Sequence, residues 1–223
     1  MSVDLSRYKN DFPILQRKVR GGNTLIYLDS GATSQKPEIV IEAEANFYRT
    51  KNAAVHRGAH LVAEEASEVY EGARENVARF IGAKSDEVIF TKSATESLNL
   101  IAYSLGNPES KFHLSSGDEI VVSEMEHHAN LIPWQQLAKR VGAKLTWFKI
   151  TDEGRLDLSD IDTLINKKTK IVAITHQSNV LGTIVPLAQI TKAAHAVGAV
   201  VVLDACQSVP HFAVDVKKLE VDF

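Results

Sequence analysis

The sequence predicts an α/β domain built on a mostly parallel sheet flanked by helices. Three observations carry that expectation. Short β-branched runs alternate with amphipathic stretches along the chain. Runs such as Val200 to Leu203 are apolar at every position, as a strand buried on both faces must be. Gly82, Gly142 and Gly198 follow helix-like stretches, where a left-handed residue stops a helix.

The strand-like runs are Leu25 to Leu28, Val88 to Phe90, Ile120 to Ser123, Leu145 to Ile150, Ile171 to Thr175 and Val200 to Asp204. The helix-like stretches are Pro37 to Tyr48, Val62 to Ile81, Thr95 to Leu105, Asn130 to Val141, Asp157 to Ile165 and Leu187 to Val197. Ser159-Asp160-Ile161-Asp162 resembles a capping box with Asp in place of Glu. Pro37 and Pro186 fall where a first helical turn tolerates proline. Ligands of such sheets bind outside the carboxyl ends of the strands, so the segments after the strands are where chemistry is expected.

The 223 residues are 44% hydrophobic and 24% charged, a globular composition that excludes collagenous, disordered and disulfide-scaffold chains. Twenty-five basic residues stand against 28 acidic ones, for a formal charge of -3, so no nucleic-acid partner is expected. The single cysteine, Cys206, excludes an intrachain disulfide and a multi-cysteine metal site, and no metal is expected. Asp4, Arg7, Lys9 and Asp11 are wrong for a secretory signal. The longest apolar run, Ala196 to Leu203, falls far short of the ~20 residues that span a bilayer. A cytoplasmic protein without a membrane partner is the resulting expectation.

Five segments could carry chemistry. In Phe90-Thr-Lys-Ser-Ala-Thr-Glu-Ser-Leu-Asn99 a strand gives way to a helix near Ser93 to Thr95. Exposed amides there, with the hydroxyls of Ser93 and Thr95, suit a phosphate; the same residues also suit a plain N-cap. No Gly-rich phosphate loop or dinucleotide fingerprint is present. Met125-Glu-His-His-Ala-Asn130 follows the next strand. Adjacent histidines diverge by about 100° on a helix and make a poor metal pair. One imidazole could instead lie against a planar ring or relay protons, or simply sit in a loop.

In Thr175-His-Gln-Ser-Asn-Val-Leu-Gly182, His176 and Asn179 could bind a ligand or hold the loop together. Asp204 directly follows four apolar residues at a strand's carboxyl end. A carboxylate there needs a cation or donors; a protonated pyridine nitrogen is one partner and a capped turn is the other reading. Asn52-Ala-Ala-Val-His-Arg-Gly-Ala-His60 is a loop whose Arg57 could grip a carboxylate or phosphate, or merely be solvated. Together, a phosphate cradle, an imidazole, an amide and a carboxylate describe a site for a flat, phosphorylated, cationic heterocycle.

Six segments carry a family resemblance: Tyr27-Leu-Asp-Ser-Gly-Ala-Thr33, Val55-His-Arg-Gly58, Ser93-Ala-Thr-Glu96, Met125-Glu-His-His-Ala-Asn130, Ser178-Asn-Val-Leu-Gly182 and Asp204-Ala-Cys-Gln207. In this order they resemble the N-terminal half of a SUF-type (NifS-like) cysteine desulfurase, a class V, fold type I pyridoxal-phosphate enzyme. The resemblance implies an aspartate aminotransferase-like large domain over residues 21–223, preceded by an N-terminal arm over residues 1–20. It also implies pyridoxal 5'-phosphate as cofactor. Ala94 and Thr95 would hold the phosphate, His127 would stack on the ring and handle protons, and Asp204 would pair with the pyridinium N–H. Gln207 would donate to the phenolic oxygen, Asn179 would lie near the ring and the substrate carboxylate, and His56 and Arg57 would line the substrate entrance. Many relatives have Thr where this chain has Ala94.

The implied reaction takes L-cysteine to L-alanine and an enzyme persulfide, passed to a sulfur-acceptor protein of the SUF system for iron–sulfur cluster assembly. A homodimer is implied as well. In the family the Schiff-base lysine lies in a Ser-Gly-His-Lys segment, followed much later by the nucleophilic cysteine and a substrate-binding arginine. None of these is expected in the 223 residues, which are therefore expected to be a truncated first half, inactive alone. Cys206 is expected to be a small buried residue and not the nucleophile, and Val221 to Phe223 the start of another strand. The same motifs fit a selenocysteine lyase, a cysteine sulfinate desulfinase, or a non-catalytic truncated homologue acting as an interaction protein.

Overall fold

In the computed structural model, which describes residues 4–223, four strands form a parallel sheet, three of them rich in Val and Ile. They are β1 (Glu119–Ser123), β2 (Lys144–Phe148), β3 (Thr169–Thr175) and β4 (Val200–Asp204), in the order β2-β1-β3-β4. β-Branched side chains favour the pleated backbone, and burial on both faces explains the unbroken apolar runs. Side chains alternate between faces. Ile120, Val122, Ile171, Ala173, Val200 and Val202 enter one core cluster, with Leu98, Ala102, Leu105, Trp134 and Leu137 from the helices α3 (Ala94–Leu105) and α4 (Ile132–Val141). Val121, Val172, Ile174 and Val201 enter the opposite cluster, with Leu187, Ile190 and Ala194 of the helix Leu187–Ala196.

The chain divides into two units, Met1–Asn76 and Val77–Phe223, and the sheet belongs wholly to the second. The first holds short 3-10 turns, the helix α1 (Glu38–Thr50) and most of α2 (Leu61–Ile81). The first three residues of the expected N-terminal arm lie outside the described residues.

Several expected elements change. Leu25 to Leu28 is not a strand; an isolated antiparallel bridge joins Lys18 and Thr24, and Ile26 and Leu28 are 79% and 91% exposed. The Tyr27 hydroxyl donates to the carbonyls of Asp29 and Thr33 and so ties the following turn instead. Val88 to Phe90 joins none of the described sheet, and Ile89 is 72% exposed. The expected helix at Asp157 to Ile165 shrinks to Ile161–Leu164. The Asp157 carboxylate accepts the Ser159 N–H at 2.9 Å, a local turn that competes with helix, and the expected capping box does not form. The helix expected from Asn130 begins at Ile132, after a 3-10 turn over His128–Asn130.

Gly82 shows why one helix end requires glycine. Its φ is +74°, and a Cβ there would come within 2.7 Å of Asp215 Oδ1. Beside β4, the Phe223 N–H donates to the Val201 carbonyl at 3.1 Å and its carbonyl accepts from the Leu203 N–H at 2.9 Å. That spacing is the parallel pattern expected of Val221 to Phe223. None of the described helices is long and apolar enough to cross a membrane.

Candidate active site

β1, β3 and β4 end in the polar residues Ser123, Thr175 and Asp204, whereas β2 ends in the buried Phe148. β4 alternates Val200 and Val202 toward the α3 and α4 face, which puts Asp204 on that face too. Asp204 stands opposite Thr175 in the β3–β4 register. It is 8% exposed, and its Oδ1 accepts the Cys206 N–H at 3.0 Å. No ion pair engages Asp204 among the described residues. A buried carboxylate without a cation is costly, and a positively charged partner would relieve that cost.

At the start of α3 the N-cap reading of the sequence holds. The Ser93 hydroxyl caps the helix by accepting the Glu96 N–H at 3.3 Å. Ala94 and Thr95 occupy the first two helical positions, whose amides have no partner in the helix ladder, and Thr95 is exposed. Free amides at a helix start, with the helix dipole, are chemically suited to an anion. α3 packs against α4 and against the turn His128–Asn130, which joins this helix to the histidine segment.

His127 is exposed and is the N-cap of that turn: its Nδ1 accepts the Ala129 N–H at 3.1 Å. The bond keeps Nδ1 unprotonated and leaves the proton of the neutral ring on Nε2. His128 does not share in this; the rings of the two histidines tilt by 44°, and no metal-binding cluster of His, Cys, Asp and Glu occurs among the described residues.

Sequence reasoning missed Glu126. It is 9% exposed and lies beside His127. Its Oε1 accepts the Ser123 hydroxyl and the Thr175 N–H, the latter at 3.1 Å. Its Oε2 accepts the Asn130 amide at 2.6 Å, and Asn130 Oδ1 in turn accepts the Trp134 indole N–H at 2.9 Å. Burial pushes the Glu126 carboxyl up to about 7, opposed by its hydrogen bonds and reinforced by the negative charge of Asp204. The signal available in the sequence was the spacing of Glu126, Asn130 and Trp134, each four residues from the last.

After β3, His176 holds the loop together. It is buried, its Nδ1 pairs with Ser208 Oγ at 2.9 Å, its ring meets Phe212 edge-on, and burial lowers its pKa. The hydroxyl of Ser178 accepts the N–H groups of Val180 and Leu181, and Asn179 is exposed on this turn. Gln207 is half-buried and its carbonyl pairs with the His211 ring. Cys206 corrects the expectation of a buried residue: it is exposed, because the turn after Asp204 faces outward. Partial burial and the Asp204 charge push its thiol pKa up, the wrong direction for a nucleophile.

His56 and Arg57 lie in the first unit. His56 has φ +60°, donates its backbone N–H to Ser67 Oγ at 2.9 Å, and pairs its Nε2 with Glu71 at 3.0 Å. Arg74 holds the other oxygen of Glu71 at 3.0 Å. Arg57 is exposed.

The second unit therefore holds a capped helix start with free amides, an exposed imidazole shortly after β1, and at the end of β4 a buried carboxylate with no ion pair among the described residues. The donor set fits a phosphorylated, cationic ring such as pyridoxal phosphate. Fold and site define an α/β protein of the architecture used by pyridoxal-phosphate-dependent enzymes. The chain belongs to the aminotransferase class-V family, whose model matches residues 26–223.

Among curated proteins it is 54% identical to probable cysteine desulfurase 2 of Mycobacterium leprae, over 99% of this chain and 53% of the relative. It is 53% identical to a probable cysteine desulfurase of Streptomyces coelicolor, with the same coverage. The apo cysteine desulfurase of Thermococcus onnurineus NA1 superposes with a TM-score of 0.88 at 43% identity, over 100% of this chain and 52% of that one. The chain thus spans about half the length of the curated relatives it matches.

Proposed function

We propose that this chain is the cofactor-binding portion of a pyridoxal-phosphate-dependent cysteine desulfurase, which converts L-cysteine into L-alanine and an enzyme-bound persulfide. The observation that carries the reading is Asp204, buried beside the carboxyl edge of β3 with no ion pair of its own. Pyridoxal phosphate, when bound, supplies an electron sink for a carbanion at the substrate Cα. The chain's residues hold and orient it. Ala94 and Thr95 bind the phosphate, Asp204 keeps the ring nitrogen protonated, and His127 stacks on the ring with its Nε2 proton available for transfer. Gln207 donates to the phenolic oxygen and Asn179 sits near the ring and substrate.

The names of the relatives support L-cysteine as substrate. A large domain over residues 21–223, a homodimer, a cytoplasmic location and a sulfur-acceptor protein of the SUF system complete the proposal. The test is to load the whole protein with pyridoxal phosphate and assay alanine and persulfide from L-cysteine, with selenocysteine and cysteine sulfinate in parallel. Alanine with persulfide from L-cysteine supports the reading. A strong preference for either alternative substrate assigns a sister activity, and no cofactor binding at all refutes it.

A further inference from the structure

Glu126 is a buried titratable group that the proposed reaction does not use. Its surroundings are more constrained than a carboxylate needs for solubility or folding. Two donors that can never accept face it from opposite ends. One is the Thr175 backbone N–H, at 3.1 Å from Oε1. The other is the indole N–H of Trp134, a fully buried residue, acting through Asn130. Because the indole can only donate, it fixes the Asn130 side chain with Oδ1 toward Trp134 and its NH2 toward Glu126. Both Glu126 oxygens therefore accept from these two sides, and when the carboxyl is protonated its O–H can go only to the Ser123 hydroxyl. The direction of the chain Trp134 to Asn130 to Glu126 cannot be reversed.

This chain closes around His127. Glu126 precedes it, and Asn130 ends the turn that it caps, with the Asn130 N–H donating to the His127 carbonyl at 2.8 Å. Within that turn the Ala129 N–H sets the His127 tautomer. The far end of the carboxylate is anchored on Thr175, the residue opposite Asp204. We propose that Glu126 is a positioning residue for His127: as the obligatory acceptor of a one-way hydrogen-bond chain, it fixes the turn that holds the imidazole and its Nε2–H tautomer. The inference rests on the proposed role of His127 against the cofactor ring, and it deepens that role.

Glu126→Gln tests it with almost no change in shape. Whichever way the new amide turns, its NH2 meets a donor, at Thr175 or at Asn130. Combining Glu126→Gln with Asn130→Asp restores every donor–acceptor match: the amide at 126 donates to the carboxylate at 130, which still accepts from Trp134. Nitrogen-15 spectra of the His127 ring in the whole protein, without cofactor, read the tautomer directly.

Wild type should show Nε2–H alone, the single variant both tautomers, and the double variant Nε2–H again. In the cofactor-loaded protein the single variant should lose on the order of 10²-fold in kcat, and the double variant should recover most of it. A wild-type tautomer in a folded Glu126→Gln protein overturns the proposal. So does a double variant that folds without restoring the tautomer, which would mean that position 126 itself requires a carboxylate. If the single variant fails to fold, the double variant decides alone, and its failure to fold also overturns the proposal. Absence of pyridoxal phosphate binding by wild type would refute the functional reading and leave the tautomer result standing.

Discussion

Asp204 stands directly opposite Thr175 across β3 and β4, and the Thr175 N–H is turned to the carboxylate of Glu126 at 3.1 Å. Two buried acids are thus set close around one backbone position. One has a dense set of donors, and the other has no ion pair among the described residues.

Asp204→Asn keeps the side-chain shape and the Cys206 contact but removes the charge a protonated ring nitrogen needs. A hydrogen bond to a charged group contributes about 1.5–3 kcal/mol, so the dissociation constant for pyridoxal phosphate should rise roughly ten- to a hundredfold. Absorbance titration of the cofactor measures it. Unchanged affinity would remove Asp204 from the site.

The raised Glu126 carboxyl makes a pH prediction. In the unfolded chain the group ionises near 4.5, whereas in the fold it stays protonated up to about 7. The fold binds the extra proton between those values, so this group's contribution to stability is complete below pH 4.5. It declines as the pH rises through 7, by roughly 3 kcal/mol. Carbon-13 titration of the Glu126 carboxyl should give a midpoint near 7. Asp204→Asn should lower that midpoint, because it removes the neighbouring negative charge; an upward move would contradict the geometry.

Ser93 and Thr95 separate capping from ligand binding. Ser93→Ala removes the cap on α3 and should cost about 1 kcal/mol of stability in urea unfolding. Thr95→Ala should leave stability within about 0.5 kcal/mol, as at other exposed positions, and weaken pyridoxal phosphate binding. The reverse pattern would show that the phosphate reading of this segment is mistaken.

Gly82→Ala should destabilise the fold by more than the 1–2 kcal/mol typical of a left-handed non-glycine residue. Its new Cβ would also press on Asp215, whose carboxylate caps the helix Val216–Leu219. Thermal unfolding measures it, and a loss of only about 1–2 kcal/mol would mean that the Asp215 side chain yields freely.

Cys206 should alkylate slowly at pH 7 although it is exposed, and faster in Asp204→Asn, since burial and the Asp204 charge both hold back its ionisation. Timed reaction with iodoacetamide distinguishes the two proteins. Cys206→Ser should retain the activity of the loaded enzyme.

The sheet was legible because its strands are apolar on both faces and stop abruptly, so β1, β3 and β4 were found to within two residues at each end and Asp204 at its edge. Leu25 to Leu28 misled because its composition suits a strand, yet a strand needs a neighbour, which a local pattern does not disclose. Asp157 misled for the opposite reason: its side chain offered the backbone a turn in place of a helix. Glu126 was hidden because its burial follows from β1, β3 and α4 converging. The visible clue, acid, amide and indole at intervals of four, has meaning only once the donor-only indole is seen to be buried.

The order β2-β1-β3-β4 has a further consequence. The chain leaves β1 outward to β2 and then returns past β1 to β3, so the connections from these two neighbours part to opposite faces. A crevice opens at such a switch point whether or not any ligand is present. The buried hydrogen bond between Glu126 and Thr175 would form the floor of such a crevice, and the exposed Thr95, His127 and Asn179 would form its rim. Floor and rim answer to different physical demands: the floor must be fully satisfied internally, and the rim must remain unsatisfied until something enters. Exchanges on the rim can therefore redirect what the crevice accepts while the sheet beneath stays as it is.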